Sequence, residues 1–415
     1  MAYNAQSPFP TLIIIDAIAA GALVTEEFFG NYQLIHIESC ASIKAHAHPR
    51  FHGDKFAEFF TWNDEDETAI IETLRAFHPI AIVPGKESAV ALSDRLSDRL
   101  SLPGNAPQTT HLRRNKYAMN KAVSKQGLLT TPQYISHEPS ELKQWHRQQG
   151  FTKVVIKPLD SAGSDDVYIC QTPEQVEKAA QIITGKNNIM HVKNHAALIQ
   201  KFIEGTEYVV NTVSFEGQNW LTDIWKVQKR LKEGRNLYDY DDLCDPNSPE
   251  ASVCLDYTLK VLPAIGLFIG AGHTELILSA EGPQLLETGA RASGAANPQA
   301  IRLATGADQL MLMRYVYTAP DILSTINPVY RLRKHLRCVH AIASFIKPFS
   351  HQELQAFLSK LDSFVSVVMK LSDGTVLKPT ADVATCPAAF FLASENPEQI
   401  KQDYESYRRW ESKNL

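Results

Sequence analysis

The chain has 415 residues, a formal net charge of −5, 44% hydrophobic and 21% charged residues, and a mean hydropathy of −0.20. That length exceeds one ordinary hydrophobic core and implies two to four lobes. The acidic balance, with no Lys/Arg run beyond two residues, argues against nucleic acid as a general partner. No apolar run is long enough to span a bilayer, so no membrane partner is expected. The N-terminus has no basic region before its apolar stretch, so no signal peptide is expected. Six cysteines, Cys40, Cys170, Cys244, Cys254, Cys338 and Cys386, lie far apart without a C-x-x-C. They read as reduced thiols of a cytoplasmic protein, with no zinc framework.

Residues 11–15 form a continuous apolar run ending at Asp16, as in a buried parallel strand. Residues 32–37 and 79–83 read the same way, with helical spacing over 67–77 and 86–100. Strands alternating with helices imply a doubly wound α/β lobe over about the first hundred residues. Gly85-Lys86-Glu87 stands past a strand end, where such sheets bind ligands, and equally suits a plain helix start. His46, His48 and His52 have a conceivable metal-ligand spacing, but Pro49 and Gly53 favour a polar loop. Residues 103–110 are a Pro/Gly/Asn/Thr-rich connector.

A helix is expected over 111–126. It places Lys116 early, where the helix dipole disfavours a cation unless an anion is near. Lys157 ends an apolar strand and leads into the small-residue loop 159–164, with Ser161, Gly163 and Ser164. Such a loop lets backbone N–H groups approach phosphates, although it is no P-loop. Gln200-Lys201-Phe202-Ile203-Glu204-Gly205-Thr206-Glu207 reads as strand, linker, strand. Backbone amides over 201–203 could meet an adenine edge, and Glu207 a ribose. The polar stretch 230–245, including Tyr238, reads as a long loop of the lid or disordered kind. From about residue 320 the pattern is that of a separate small subdomain with no clustered chemistry.

Residues 270–291 form the centre of the reading. Two apolar runs flank a turn at Ala280-Glu281-Gly282, giving a β-hairpin. With that turn Ser279 faces Pro283 and Glu275 faces Glu287. His273 then shares the face of Glu275, and Gly289 and Arg291 that of Glu287. Two opposed carboxylates repel, and a hard cation such as Mg²⁺ removes the repulsion. Arg291 adds a fork for phosphoryl or carboxylate oxygens.

Taken in order, the strand-end lysine, small-residue loop, Q-K-F-I-E-G-x-E hinge, H-T-E and L-L-E-x-x-x-R resemble the ATP-grasp superfamily. The T-D-I-W-K and Y-D-Y-D-D-L segments and G-H-T-E resemble its L-amino-acid ligases. The resemblance implies an α/β ATP-grasp fold with an N-terminal doubly wound α/β domain over 1–105. A small lobe over 106–195, a large lobe over 196–318 and a small C-terminal subdomain over 319–415 would follow.

It implies an ATP-dependent ligase forming dipeptides through an acyl phosphate, with ATP and amino acids as small-molecule partners and a possible homodimer. Lys116 and Lys157 would contact phosphates, with Ser161, Gly163 and Ser164 in the loop over them. Gln200, Lys201 and Ile203 would frame the adenine, and Glu207 would hold the ribose. Glu275 and Glu287 would hold Mg²⁺, two ions with Mn²⁺ as a possible substitute. Arg291 would stabilise the phosphorylated carboxylate, with His273 and Tyr238 on the acceptor side and Ala295 lining the amino-acid pocket. Gly289 stands where many ATP-grasp enzymes have Asn, and Asn297 is a candidate to replace that ligand. A different acceptor, or an ATP-binding protein without catalysis, are the competing readings.

Overall fold

The computed structural model describes residues 9–415, apart from 49, 162, 164, 233–234, 295–296 and 382–384; the side chains of 232, 235 and 236 are also outside it. Three sheets organise the described chain. The first is parallel and comprises β1 (Thr11–Ile15), β2 (Gln33–Glu38), β3 (Glu58–Thr61) and β4 (Pro79–Pro84), in the order β3-β2-β1-β4. All five residues of β1 are buried, because helices cover both faces of a parallel sheet. After Gly85 a 3-10 turn over Glu87–Ala89 leads into helix Val90–Leu100.

The second sheet is antiparallel. It holds β5 (Gln133–Ser136), β6 (Val154–Pro158), β7 (Tyr168–Cys170) and β8 (Ala197–Lys201), in the order β5-β8-β6-β7. The helix expected over 111–126 begins later. Pro107–Arg113 is 3-10, and the α-helix runs Lys116–Lys125. Buried Arg113 explains the break: its guanidinium reaches Asp94 at 2.7 Å and the carbonyl of Gly266 at 2.6 Å, which ties the connector down.

The third sheet has eight strands: β9 (Thr206–Phe215), β10 (Gln218–Lys232), β11 (Arg235–Leu243), β12 (Ile269–Ser279), β13 (Gly282–Gly289), β14 (His335–His340), β15 (Phe364–Met369) and β16 (Ala388–Ser394). Their order is β13-β12-β9-β10-β11-β14-β16-β15. One expectation fails here. The stretch 230–245 is no long loop, because β10 and β11 pair antiparallel from Trp225↔Leu243 to Lys232↔Arg235. Its charges are paired along the ladder and beyond it: Asp239 meets Arg230 and Arg408, and Asp242 meets Arg337. The C-terminal strands continue this sheet, since β14 pairs with β11.

The catalytic-type hairpin also departs in register. Ser279 faces Gly282 and Leu278 faces Pro283, around a two-residue turn. Two pairs further in, Leu276 faces Leu285, and a bulge at Leu286 then restores Glu275↔Glu287. With strict alternation Leu285 and Glu287 would share a face. The extra residue changes the phase, so Leu285 enters the core and Glu287 leaves it. Leu276, Leu285, Tyr208 and Val210 pack with Cys254, Val261 and Leu262 of helix Pro249–Ala264. The opposite face carries the polar side chains. Among the described residues, no helix is long and apolar enough to cross a membrane.

Candidate active site

Asn115 caps helix Lys116–Lys125, its side chain accepting from the Ala118 amide at 3.0 Å. Lys116 is therefore the first helical residue, where the dipole opposes a cation. Its Nζ lies 2.5 Å from Glu287 Oε2 and 2.7 Å from the Ser161 carbonyl. Lys157, at the end of β6, is buried beside them. Burial, then the charge of Lys116, lowers its pKa to about 8, against the pull of Glu287 and Glu275. Burial would raise the pKa of Glu287, but Lys116, Lys157 and Arg291 outweigh it and bring it to about 2. The carboxylate thus stays ionised with lysines around it.

Glu275 is held from the side. Its Oε1 lies 3.2 Å from His273 Nε2, and His273 Nδ1 lies 2.8 Å from Asn211 Oδ1. The Asn211 amide nitrogen donates to buried Asp223, which fixes the orientation of the amide. The Asn211 oxygen must then accept, so His273 carries a proton on Nδ1. Asp223 also accepts from Thr222 and from the Trp225 indole. Burial raises its pKa, and those donors oppose the shift.

Arg291 reaches across to the first sheet, with Nε 2.9 Å from Glu87 Oε2. Glu87 also pairs with Arg114, and Arg114 with Asp160 at the start of the loop 159–166. One chain of alternating charges therefore joins three lobes. Gly289 makes room for it: a Cβ there would lie 2.6 Å from Glu87 Oε2. Asn297 does not replace a ligand at Gly289. Its oxygen caps helix Pro298–Thr305 and its amide nitrogen donates to Ser366 at 2.9 Å.

Glu207 on β9 shares the face of Glu275, since it pairs with Ile277 two residues along. Lys229 meets it at 2.6 Å and the Tyr238 hydroxyl donates to it at 3.2 Å. Burial raises the Glu207 pKa and Lys229 opposes it. At the hinge, the Lys201 and Phe202 amides are already used, by the Pro132 and Lys153 carbonyls. Among the described residues only the Ile203 amide of the three has no partner, so the expected adenine edge narrows to one donor. The Gln200 side chain is likewise held, donating to Gln133 at 3.0 Å. Ser161 donates its hydroxyl to Asp165 at 2.8 Å, and Gly163 has φ +66°. Ser164 and Ala295 lie outside the described residues. The three histidines do not converge: His46 packs on Phe51 and Phe59, His48 accepts from the Arg50 amide, and His52 stands 3.4 Å from Glu26.

Residues 151–297 match the ATP-grasp domain family. The chain is 27% identical over 395 residues to dapdiamide A synthase of Enterobacter agglomerans, covering 94% of this chain and 93% of that protein. Its fold is similar to that of L-amino acid ligase from Bacillus licheniformis, with TM-score 0.76, 15% identity and 96% of each chain covered. It is also similar to N5-carboxyaminoimidazole synthase from Aspergillus clavatus, solved with ADP and 5-aminoimidazole ribonucleotide, with TM-score 0.71, 11% identity and 98% and 99% coverage. Over residues 151–297 the chain carries an ATP-grasp domain.

Sequence reasoning missed Asn211, Asp223 and Arg114 as parts of the candidate site, and named Glu87 and Asp160 only within the segment 85–87 and the loop 159–164. Asn211 and Asp223 had a signal, since they are polar residues inside apolar strands. Glu87 had its position past the end of β4. Asp160 had its place in the small-residue loop; Arg114 had none, being an ordinary charge in a connector.

Proposed function

We propose that this chain is an ATP-grasp ligase that joins two L-amino acids into a dipeptide through an acyl phosphate, releasing ADP and phosphate. The observation that carries the reading is the Glu287 carboxylate, opposed to Glu275 on one strand pair and held ionised by Lys116, Lys157 and Arg291. Two opposed carboxylates suit Mg²⁺, a hard cation with oxygen ligands. Here the Lys116 ammonium stands in a cation's place at Glu287. Bound by Glu275 and Glu287, two Mg²⁺ ions, or Mn²⁺, would supply charge neutralisation at phosphoryl oxygens.

The chain's own residues would do the rest. Lys116 turns from Glu287 to the phosphates, and Lys157 gains full charge as anionic oxygens approach. Backbone amides of the loop with Ser161, Gly163 and Ser164 close over the phosphates. The Ile203 amide meets the base and Glu207 the ribose. The donor carboxylate oxygen attacks the terminal phosphorus, and the bond to ADP breaks. Positioning dominates such a transfer. Arg291 holds the carboxylate, and Glu87 holds Arg291 in line. The acceptor amine, on the side of His273, attacks the acyl carbon. It loses a proton and phosphate leaves. His273 keeps Glu275 oriented, its Nδ1 proton fixed by Asn211.

A second reading keeps the same phosphoryl chemistry, with an amine other than a common amino acid as the acceptor. A pairwise screen of the common amino acids, reading phosphate release and product mass, tests both. The first reading predicts phosphate together with a dipeptide mass for at least one pair. Phosphate without amide for every pair rejects it in favour of the second.

A further inference from the structure

A second cluster lies on the large sheet, where β11 meets β14. That seam is only three residue pairs long: Tyr240↔Val339, Asp241↔Cys338 and Asp242↔Arg337. Cys338 and His340, two residues apart, share a face, and Asp241 stands opposite Cys338. One ligand atom from each of the three lies within 4.8 Å of the others. Among the described residues no other group of three His, Cys, Asp or Glu side chains converges in this way. His340 Nε2 is 2.8 Å from Asp241 Oδ2. Among the described residues the second oxygen of Asp241 is buried without a hydrogen-bond partner, and the second ring nitrogen of His340 is buried with only the Cys386 thiol beside it. Cys338 and His340 are 2% and 6% exposed. The His–Asp ion pair alone leaves a buried carboxylate oxygen unpaired, at a cost. Cys386, 3% exposed, adds a further sulfur as a hydrogen-bond neighbour of His340.

We propose that Asp241, Cys338 and His340, with Cys386 beside them, form a site for a transition-metal cation of the zinc class. One thiolate, one imidazole and one carboxylate are the donor types zinc takes, and alkaline-earth ions do not favour sulfur. The absence of a C-x-x-C did not exclude it, because Asp241 and His340 are 99 residues apart and only strand pairing joins them. The ion would clamp the C-terminal strands to the ATP-grasp sheet. It would also steady Tyr238, whose ring meets His340 edge-on at 5.7 Å and whose hydroxyl reaches Glu207. The site is independent of the dipeptide reading.

The test uses the full chain, expressed with added zinc and dialysed against metal-free buffer. Metal analysis should find stoichiometric zinc in the wild type and in Cys254→Ser, a control for a buried cysteine elsewhere. Zinc should be lost from Cys338→Ser and from His340→Ala. Cobalt replacing zinc should give thiolate-to-cobalt charge-transfer absorption, and chelation should lower Tm. Only traces of metal in the folded wild type, or no thiolate band on cobalt addition, overturns the proposal even if the variants fail to fold. Stoichiometric zinc retained by Cys338→Ser also overturns it.

Discussion

Glu287 is the residue on which the site's electrostatics converge, with Lys116 at 2.5 Å. Changing Glu287→Gln keeps the shape and removes one charge from the pair with Glu275. Turnover should fall at least ~100-fold, because metal charge stabilisation is worth several kcal/mol. Steady-state phosphate release checks this, and an unchanged rate contradicts the placement of the metal pair. The same variant has a pH signature. The carboxylate titrates near 4.5 unfolded and at about 2 folded, after burial is outweighed by Lys116, Lys157 and Arg291. Its contribution is therefore present above pH 4.5 and lost as pH falls towards 2, on the order of 3 kcal/mol. Urea unfolding at about pH 6 and about pH 3 should show the wild type losing more stability than Glu287→Gln. Parallel profiles would contradict the ionised, lysine-paired state. Lys116 was legible as a cation at a helix start that calls for an anion, and Glu287 as a carboxylate opposed to another; the two meet in one ion pair. Asn211 and Glu87 were not legible, since their partners His273 and Arg291 are chosen by strand pairing and by lobe packing.

At the scale of the element, the hairpin of β12 and β13 was read from its turn and apolar runs, and its central pair is Glu275↔Glu287. The reading missed that two one-residue displacements cancel, a shorter turn and the bulge at Leu286. Periodicity carries no sign of a bulge where the extra residue, Leu286, simply follows another leucine. The strand pair β10–β11 was hidden differently. Its charges read as solvent-loop composition, yet Arg230, Asp239, Tyr404 and Arg408 form one network between the sheet and helix Pro397–Asn414. Amides of 237–243, paired with β10 and in part β14, should exchange slowly, as a sheet interior does. Hydrogen exchange followed by mass spectrometry reads this directly. Fast exchange, with no change on adding ATP, would contradict the ladder.

Across the whole molecule, the sheets meet through charged side chains at the site. Arg291 on the large lobe, Glu87 after β4, Arg114 in the connector and Asp160 in the small lobe form a line. The alternating strands of the first hundred residues and the hinge before Glu207 were visible in sequence, because each rests on local periodicity. The joining of β14 to β11 was not, since it depends on a contact across about a hundred residues. In the proposed function Arg291, held by Glu87, would face the terminal phosphate, with cleavage there and a carboxylate as the attacking group. Incubation of the enzyme and ATP with a donor amino acid carrying ¹⁸O in its carboxylate, plus a suitable acceptor amine, tests that most directly. The account predicts ADP and phosphate as products, with one labelled oxygen in the released phosphate; AMP and pyrophosphate, or phosphate without label, would contradict it.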